Sequence, residues 1–206
     1  MLNLDPNKAV KLTTTQKKLI NDIIQRYGNL SKEHWKLNEV RLRLAIRTDL
    51  MAMQKSRCVY CGLPTGYPQD VEHIAHKAKY PQFLFTPLNL AYSCARCNQH
   101  YKGEKDVVST LSADYEQCEF KMIHPYLDDV DKYLETHTLQ IRKRRNLSKA
   151  DDDKADYTIE LFDLGGSYIT NERTKIWQSQ QYCIEHNTTA KQTALDRTLE
   201  FKPDQI

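Results

Sequence analysis

The sequence predicts an α+β protein in three parts: N-terminal helices over residues 1–56, a zinc-stapled strand–loop–strand–helix (ββα) core over 57–106, and a mixed α/β extension over 107–206 packed on the same domain. Three observations predict it. Apolar residues before Cys58 recur at helical spacing. Two cysteine pairs, Cys58-x2-Cys61 and Cys94-x2-Cys97, bracket a segment too short to hold itself together without a staple. Beyond residue 106, short alternating runs give way to polar helical stretches.

A chain of 206 residues is one domain, or one with appendages. Apolar residues make up 40% and the mean hydropathy is -0.70, so the core is modest. The sequence contains no apolar run near the ~18 residues of a membrane span. Its start, MLNLDPNKAVKL, has neither the apolar stretch nor the cleavage site of a signal peptide. The expectation is a soluble, cytoplasmic protein that makes no use of a membrane. Net charge is only +3 but unevenly spread: residues 1–57 carry 12 Lys/Arg against 5 Asp/Glu, and residues 106–206 carry 13 against 19. A basic first part suits a polyanion such as nucleic acid, and equally a solvated helical face.

In chain order, residues 13–27 form a helix, with Thr13 to Thr15 as N-caps and Leu19, Ile20, Ile23, Ile24 and Tyr27 on one face. Gly28 and Asn29 end it. Ser31 starts a second helix whose apolar residues are Trp35, Leu37, Val40, Leu42, Leu44, Ile46 and Leu50. Arg41, Arg43 and Arg47 on that helix face either phosphate or water. Val71–Ile74 is a strand, 76–88 a proline-containing loop, 89–93 the return strand, and Cys97 opens a short helix stopped by Gly103. Residues 106–117 read as loop and helix, and 124–129 as turns. Residues 138–141 and 157–162 alternate like strands. Between those strands, the basic run at 142–145 and the acidic run at 151–153 mark an exposed connection. Residues 170–200 are helical.

Two CxxC pairs in a cytosolic chain read as metal ligands, so Cys58, Cys61, Cys94 and Cys97 are assigned to Zn2+. Four thiolates leave no open coordination position, so this zinc is structural. The 32 residues between the pairs argue for an element inserted between two zinc knuckles. That insert carries Glu72 and His73. Neighbours on a strand point to opposite faces, so the two cannot share one role. Cys118 and Cys183 have no local partner and read as ordinary thiols.

The stretches CVYCG, VEHI and NLAYSCARCNQHYKG resemble the HNH, or ββα-metal, endonucleases over roughly residues 55–105. The resemblance implies hydrolysis of phosphodiester bonds in nucleic acid. By position, it makes His73 the general base toward the attacking water, and Glu72 and Asn98 the ligands of a catalytic Mg2+ or Mn2+. Asn89 becomes the residue that ties the loop and aims His73. Lys102 falls near the scissile phosphate. DNA stands ahead of RNA as substrate. Three positions depart from the family pattern: Glu72 replaces the usual Asp, His76 stands near the place of a common proline, and Lys102 follows Asn98 by four residues where three is usual. His76 and His100 read first as surface histidines. The longer stretch from Val71 to Asp106, with the later HPYLDD, resembles the HNH nuclease subunit of Septu systems and the HNH proteins encoded beside retrons. That narrower resemblance implies anti-phage defence together with an SMC-like, ABC-type ATPase. The competing reading of the core is a non-catalytic zinc module that binds nucleic acid or protein.

Overall fold

A computed structural model describes residues 1–37, 40–66 and 70–185, except for the side chains of residues 37, 40, 41 and 185. It is a mixed α+β protein containing three separate two-stranded antiparallel sheets. Helix α1 spans Thr14–Tyr27. Thr13 and Gln16 close a capping box at its start, satisfying two donors that the helix itself leaves unbonded. Gly28, at φ +64°, ends it in a conformation that costs glycine little. Only Ile20 of the expected apolar face is buried within this helix, and Ile24 and Tyr27 are exposed.

The helix expected from Ser31 onward is seen as α2 (His34–Leu37) and α3 (Val40–Met53); residues 38–39 between them lie outside the described residues. In α3, Leu42, Ile46 and Leu50 fall four apart and are buried. Leu44, two positions from that stripe, is exposed rather than apolar core. This stripe packs on the first sheet, β1 (Val71–His73) and β2 (Leu90–Tyr92). The register pairs Val71 with Tyr92, Glu72 with Ala91 and His73 with Leu90.

This sheet separates two apolar clusters. Val71, Leu90 and Tyr92 join Trp35 and the α3 stripe on one face. Ala91 joins the cysteine knuckles, Tyr60 and the C-terminal elements on the other. The loop between the strands is built from 3-10 turns at Pro81–Phe83 and Pro87–Asn89, each with proline in the first turn, where its missing N–H costs nothing. After β2 the chain enters a π-helix, Arg96–Lys102, ended by Gly103 at φ +50°.

The extension differs from expectation in three places. Residues 106–120 contain a hairpin, β3 (Val108–Thr110) with β4 (Glu119–Phe120), that the sequence reading missed. Helix α4 (Val130–Tyr133) leads into β5 (Leu134–His137), which pairs with β6 (Gln140–Lys143). The turn between them falls on Thr138 and Leu139, at φ +44° and +70°, so the strand expected over 138–141 begins two residues late. Two positive φ values make a hairpin turn whose twist suits the strands, but without the Asn or Gly that usually announces it. The strand expected at 157–162 is the end of helix α5 (Lys149–Phe162), whose Ala155, Thr158, Leu161 and Phe162 are buried at helical spacing. The opposite charge runs flank an exposed connection, residues 144–148, as expected, and are also paired across it. Lys143 of β6 binds Asp152 and Asp156 on α5, while Asp151 and Asp152 occupy the first turn of α5, where the helix dipole favours them. Helix α6 covers Ser167–Glu185. The remainder of the helix expected to residue 200 lies outside the described residues.

The extension is tied to the knuckle region by two contacts. Tyr60, inside the first cysteine pair, stacks on Phe162 with ring centroids 4.0 Å apart. Arg173 of α6 donates to the Cys61 carbonyl at 2.9 Å. Among the described residues no helix is long and apolar enough to cross a membrane.

Candidate metal centre and active site

The ligand atoms of Cys58, Cys61, Cys94 and Cys97 all lie within 4.8 Å of one another. A tetrahedral zinc with bonds of about 2.3 Å needs sulfurs roughly 3.8 Å apart, and the Cys61 and Cys94 sulfurs are 3.9 Å apart. Cys58, Cys61 and Cys97 are buried. Burial opposes ionisation of Cys58, yet hydrogen bonds from the other three hold its thiol well below the usual range. Donor type, number and spacing therefore fit a structural zinc. The backbone prepares the knuckles: Cys58 N–H bonds the Leu63 carbonyl and Gly62 N–H the Cys58 carbonyl, both at 2.9 Å. Gly62, at φ +71°, supplies the tight turn.

The first sheet is fixed beside these knuckles. Val59 N–H donates to the Tyr92 carbonyl at 2.9 Å. The Gln54 side chain donates to that same carbonyl at 2.7 Å and accepts from Tyr92 N–H at 2.7 Å. Glu72 and His73 thus leave a clamped strand on opposite faces, as period-two geometry requires.

Glu72 is 3% exposed. Its Oε1 accepts from the Tyr60 hydroxyl at 3.1 Å and pairs with Lys102 Nζ at 2.7 Å. Lys102 is 1% exposed and also donates to the His73 carbonyl at 3.0 Å. One ammonium therefore bridges the carboxylate and the backbone of the next residue. Burial raises the Glu72 pKa, opposed by Lys102 and then Tyr60.

His73 is 3% exposed. Its Nε2 lies 3.1 Å from the Leu84 carbonyl. A carbonyl only accepts, so Nε2 carries the proton and Nδ1 holds the lone pair. Nδ1 is buried and has no hydrogen-bond partner. The ring meets Trp35 of α2 edge-on, with centroids 4.6 Å apart. Burial, and then Lys77, lowers its pKa to about 3 despite the bond to Leu84. The imidazole is accordingly neutral at physiological pH.

Asn89 is fully buried. Its Oδ1 accepts from Ala75 N–H at 2.7 Å and from the Tyr115 hydroxyl at 2.9 Å, and its Nδ2 donates to the Phe83 carbonyl at 2.9 Å. These bonds join the two ends of the loop that contains Leu84, the anchor of His73. Tyr115 lies 3.0 Å from His124 Nε2. Because His124 Nδ1 accepts from the N–H groups of Tyr126 and Leu127, Nε2 is the protonated nitrogen and donates to Tyr115.

Asn98 is half-buried on the π-helix and Lys102 follows it by four residues on the same segment. The Gly103 N–H bonds the Asn98 carbonyl at 2.8 Å, the i to i+5 bond of a π turn. His76 is half-buried and its pKa is lowered, first by burial and then by Lys102 and Lys77. His100 is exposed. Burial, then Lys102 and Lys36, also lowers Lys77, while Glu72 opposes the change. The site is thus ringed by cations.

Sequence reasoning did not find Tyr60, Trp35, Tyr115 or His124. Tyr60 had a signal, its place inside the first CxxC. The other three reach the site only through tertiary packing.

No family model matches this chain. It is 33% identical over 108 residues to "Protein ea31" of Escherichia phage lambda, covering 49% of this chain and 33% of that protein. It is 26% identical over 132 residues to "Septu protein PtuB" of Bacillus thuringiensis, covering 61% of this chain and 48% of that protein. The matches span about a third and about half of the length of these two relatives. The chain is therefore distantly similar to a Septu defence protein and carries a four-cysteine cluster able to bind zinc.

Proposed function

We propose that this chain is an HNH-type, metal-dependent endonuclease that hydrolyses phosphodiester bonds, in DNA ahead of RNA, within a Septu-like anti-phage complex containing an ATPase subunit. One observation carries the reading. A neutral imidazole is pinned through Nε2 while its Nδ1 lone pair stays buried and unpartnered, one residue from a buried carboxylate. Buried polar atoms are nearly always satisfied, so such an orphan calls for an explanation. An acceptor kept free for the proton of an attacking water supplies one.

In this reading Glu72 and Asn98 offer carboxylate and amide oxygens, the donors that hard cations prefer. Bound there, Mg2+ or Mn2+ would offset charge on the pentacovalent phosphorus and the leaving oxygen. Lys102 already pairs with Glu72, so a metal bound there would share or displace that ammonium. His73 takes the water proton at Nδ1, Leu84 holds the ring, and Asn89 holds the loop that carries Leu84. Trp35 closes His73 to solvent in this state, so turnover requires α2 to shift. A chain that cuts only when its partner moves that helix would behave in this way.

The same burial of Glu72 and His73 favours a second reading, a zinc-stapled binding module without turnover. Plasmid nicking with added Mg2+ or Mn2+ separates the two, run on the chain alone and with the product of the adjacent gene. The nuclease reading expects nicking that is lost in His73→Ala at unchanged zinc content and folding. Absence of nicking in both settings, or equal nicking by His73→Ala, leaves the binding module.

A further inference from the structure

Beside the candidate active site lies a cavity of about 180 Å³, lined by Trp35, Arg43, Leu44, Arg47, Asp70 and Val71. Arg43 and Arg47 are one helical turn apart on α3 and share a face. They flank the buried stripe of Leu42 and Ile46, which fixes their helix against the sheet. Arg43 Nε is buried without a hydrogen-bond partner. Val71 and His73 lie on one face of β1, two residues or roughly 6.6 Å apart. Trp35 lines the cavity on one side and meets His73 on the other.

From this arrangement we infer that Arg43 and Arg47 form a subsite for an internucleotide phosphate of the nucleic-acid strand, next to the phosphate presented to His73. The inference deepens the nuclease reading and rests on it for the identity of the strand. A guanidinium whose Nε is buried and unbonded has a donor to give, and phosphate oxygens accept from arginine in forked pairs. Asp70, exposed at the rim, is the one acidic group lining the cavity among the described residues. The charges nearby are mixed: Lys32 acts on His76 along with Glu104, and Lys36 acts on Lys77 along with Glu72 and Asp70. The cavity is too small for a folded partner, and its volume suits one phosphate with part of its sugar.

The test is equilibrium binding of the full-length chain to a fluorescein-labelled oligonucleotide across a salt series, with no Mg2+ or Mn2+ added. For the unchanged protein, log Kobs should fall linearly with log salt. Arg43→Gln and Arg47→Gln should each weaken binding on the order of tenfold and reduce the slope by about 0.7 on single strands or about 0.9 on duplex. Arg47→Lys should keep the slope, which controls for loss of folding. Lys175→Gln, at an exposed site on α6, should change neither quantity. Unchanged slopes in both Gln variants, an equal loss in Lys175→Gln, no binding by the unchanged protein, or competition by a mononucleotide as effective as by the oligonucleotide would each overturn the subsite. Cleavage is scored separately with Mg2+ or Mn2+. Binding that depends on both arginines with no cutting, either by the chain alone or with the product of the adjacent gene, keeps the subsite and removes the nuclease reading; cutting with unaffected slopes does the reverse.

Discussion

Replacing Lys102 by Met tests the buried pair at the centre of the site. The substitution keeps an unbranched chain of similar length and removes the ammonium. Lys102 and Glu72 are 1% and 3% exposed and 2.7 Å apart, so solvent screens little of their attraction. Removing one partner of such a pair strands the other, and measured costs are about 3–5 kcal/mol. Here the loss reaches further, because Lys102 also serves the His73 carbonyl, while Glu72 keeps the Tyr60 hydroxyl as its hydrogen-bond donor among the described residues. For a chain of this size each kcal/mol moves Tm by about 2–4 °C, so Lys102→Met should melt about 6–20 °C lower. Adding Glu72→Gln should recover part of that loss, since the stranded charge goes with it. Calorimetry and urea unfolding on both variants are the assay. If the single variant loses less than about 1 kcal/mol, or the double is worse than the sum of the two singles, the pair is not the clamp described. Mn2+ adds a further arm: with the ammonium gone, an added divalent cation should raise Tm more in Lys102→Met than in the unchanged protein.

Cys94→Ser should lower zinc content from one equivalent toward zero and unfold the knuckles and the first sheet together; metal analysis and circular dichroism read both, and retained zinc at full stability would refute the four-sulfur assignment. Acid should also destabilise the fold through two of its buried imidazoles. His73 and His124 are each lowered to about 3 by burial, so the unfolded chain takes up protons near pH 6.5 that the folded chain refuses. Stability from this source is complete above pH 6.5 and drains away as pH falls toward 3, by about 2 kcal/mol per histidine at pH 5. His124→Gln should remove roughly half of that pH dependence between pH 7 and 5, and an unchanged slope in urea titrations would show that His124 is not neutral in the fold.

How much of this was legible depended on how local each signal was. The cysteine cluster could be read because zinc chemistry constrains spacing within each knuckle. Opposite placement of Glu72 and His73 could be read because the period of a strand is two. The first helix announced itself through Thr13, Gln16 and Gly28. Residues 157–162 misled because Tyr157, Ile159 and Leu161 alternate, yet burial of Ala155, Thr158 and Phe162 against the knuckle region decided the segment as helix. The hairpin turn at Thr138–Leu139 had no warning, since both residues are poor choices for positive φ. Neither did the cap of Trp35 over His73, a contact between residues 38 positions apart that no periodicity encodes.

The spacing from Asn98 to Lys102 is tied to the form of the helix that carries both residues. In an α-helix each residue turns about 100°, so position i+3 stops roughly 60° short of a full turn while i+4 overshoots by about 40°. A π-helix, with bonds from i to i+5, turns only about 82° per residue, so its i+4 position stops roughly 33° short. A four-residue offset on a π-helix therefore lies closer to the three-residue offset of an α-helix than a four-residue α offset does. The chain adopts the π form over Arg96–Lys102, and Gly103 closes it at a φ open mainly to glycine. Lys102 then reaches Glu72 and the His73 carbonyl from the wider helix. A π-helix gives up well-formed i to i+4 bonding, a local cost that an isolated seven-residue segment could not sustain. The buried ion pair at one end and Cys97 in the sulfur cluster at the other hold it in place. The four-residue spacing and the wider helix are thus two sides of one constraint, set by where the carboxylate of the clamped strand meets a positive charge.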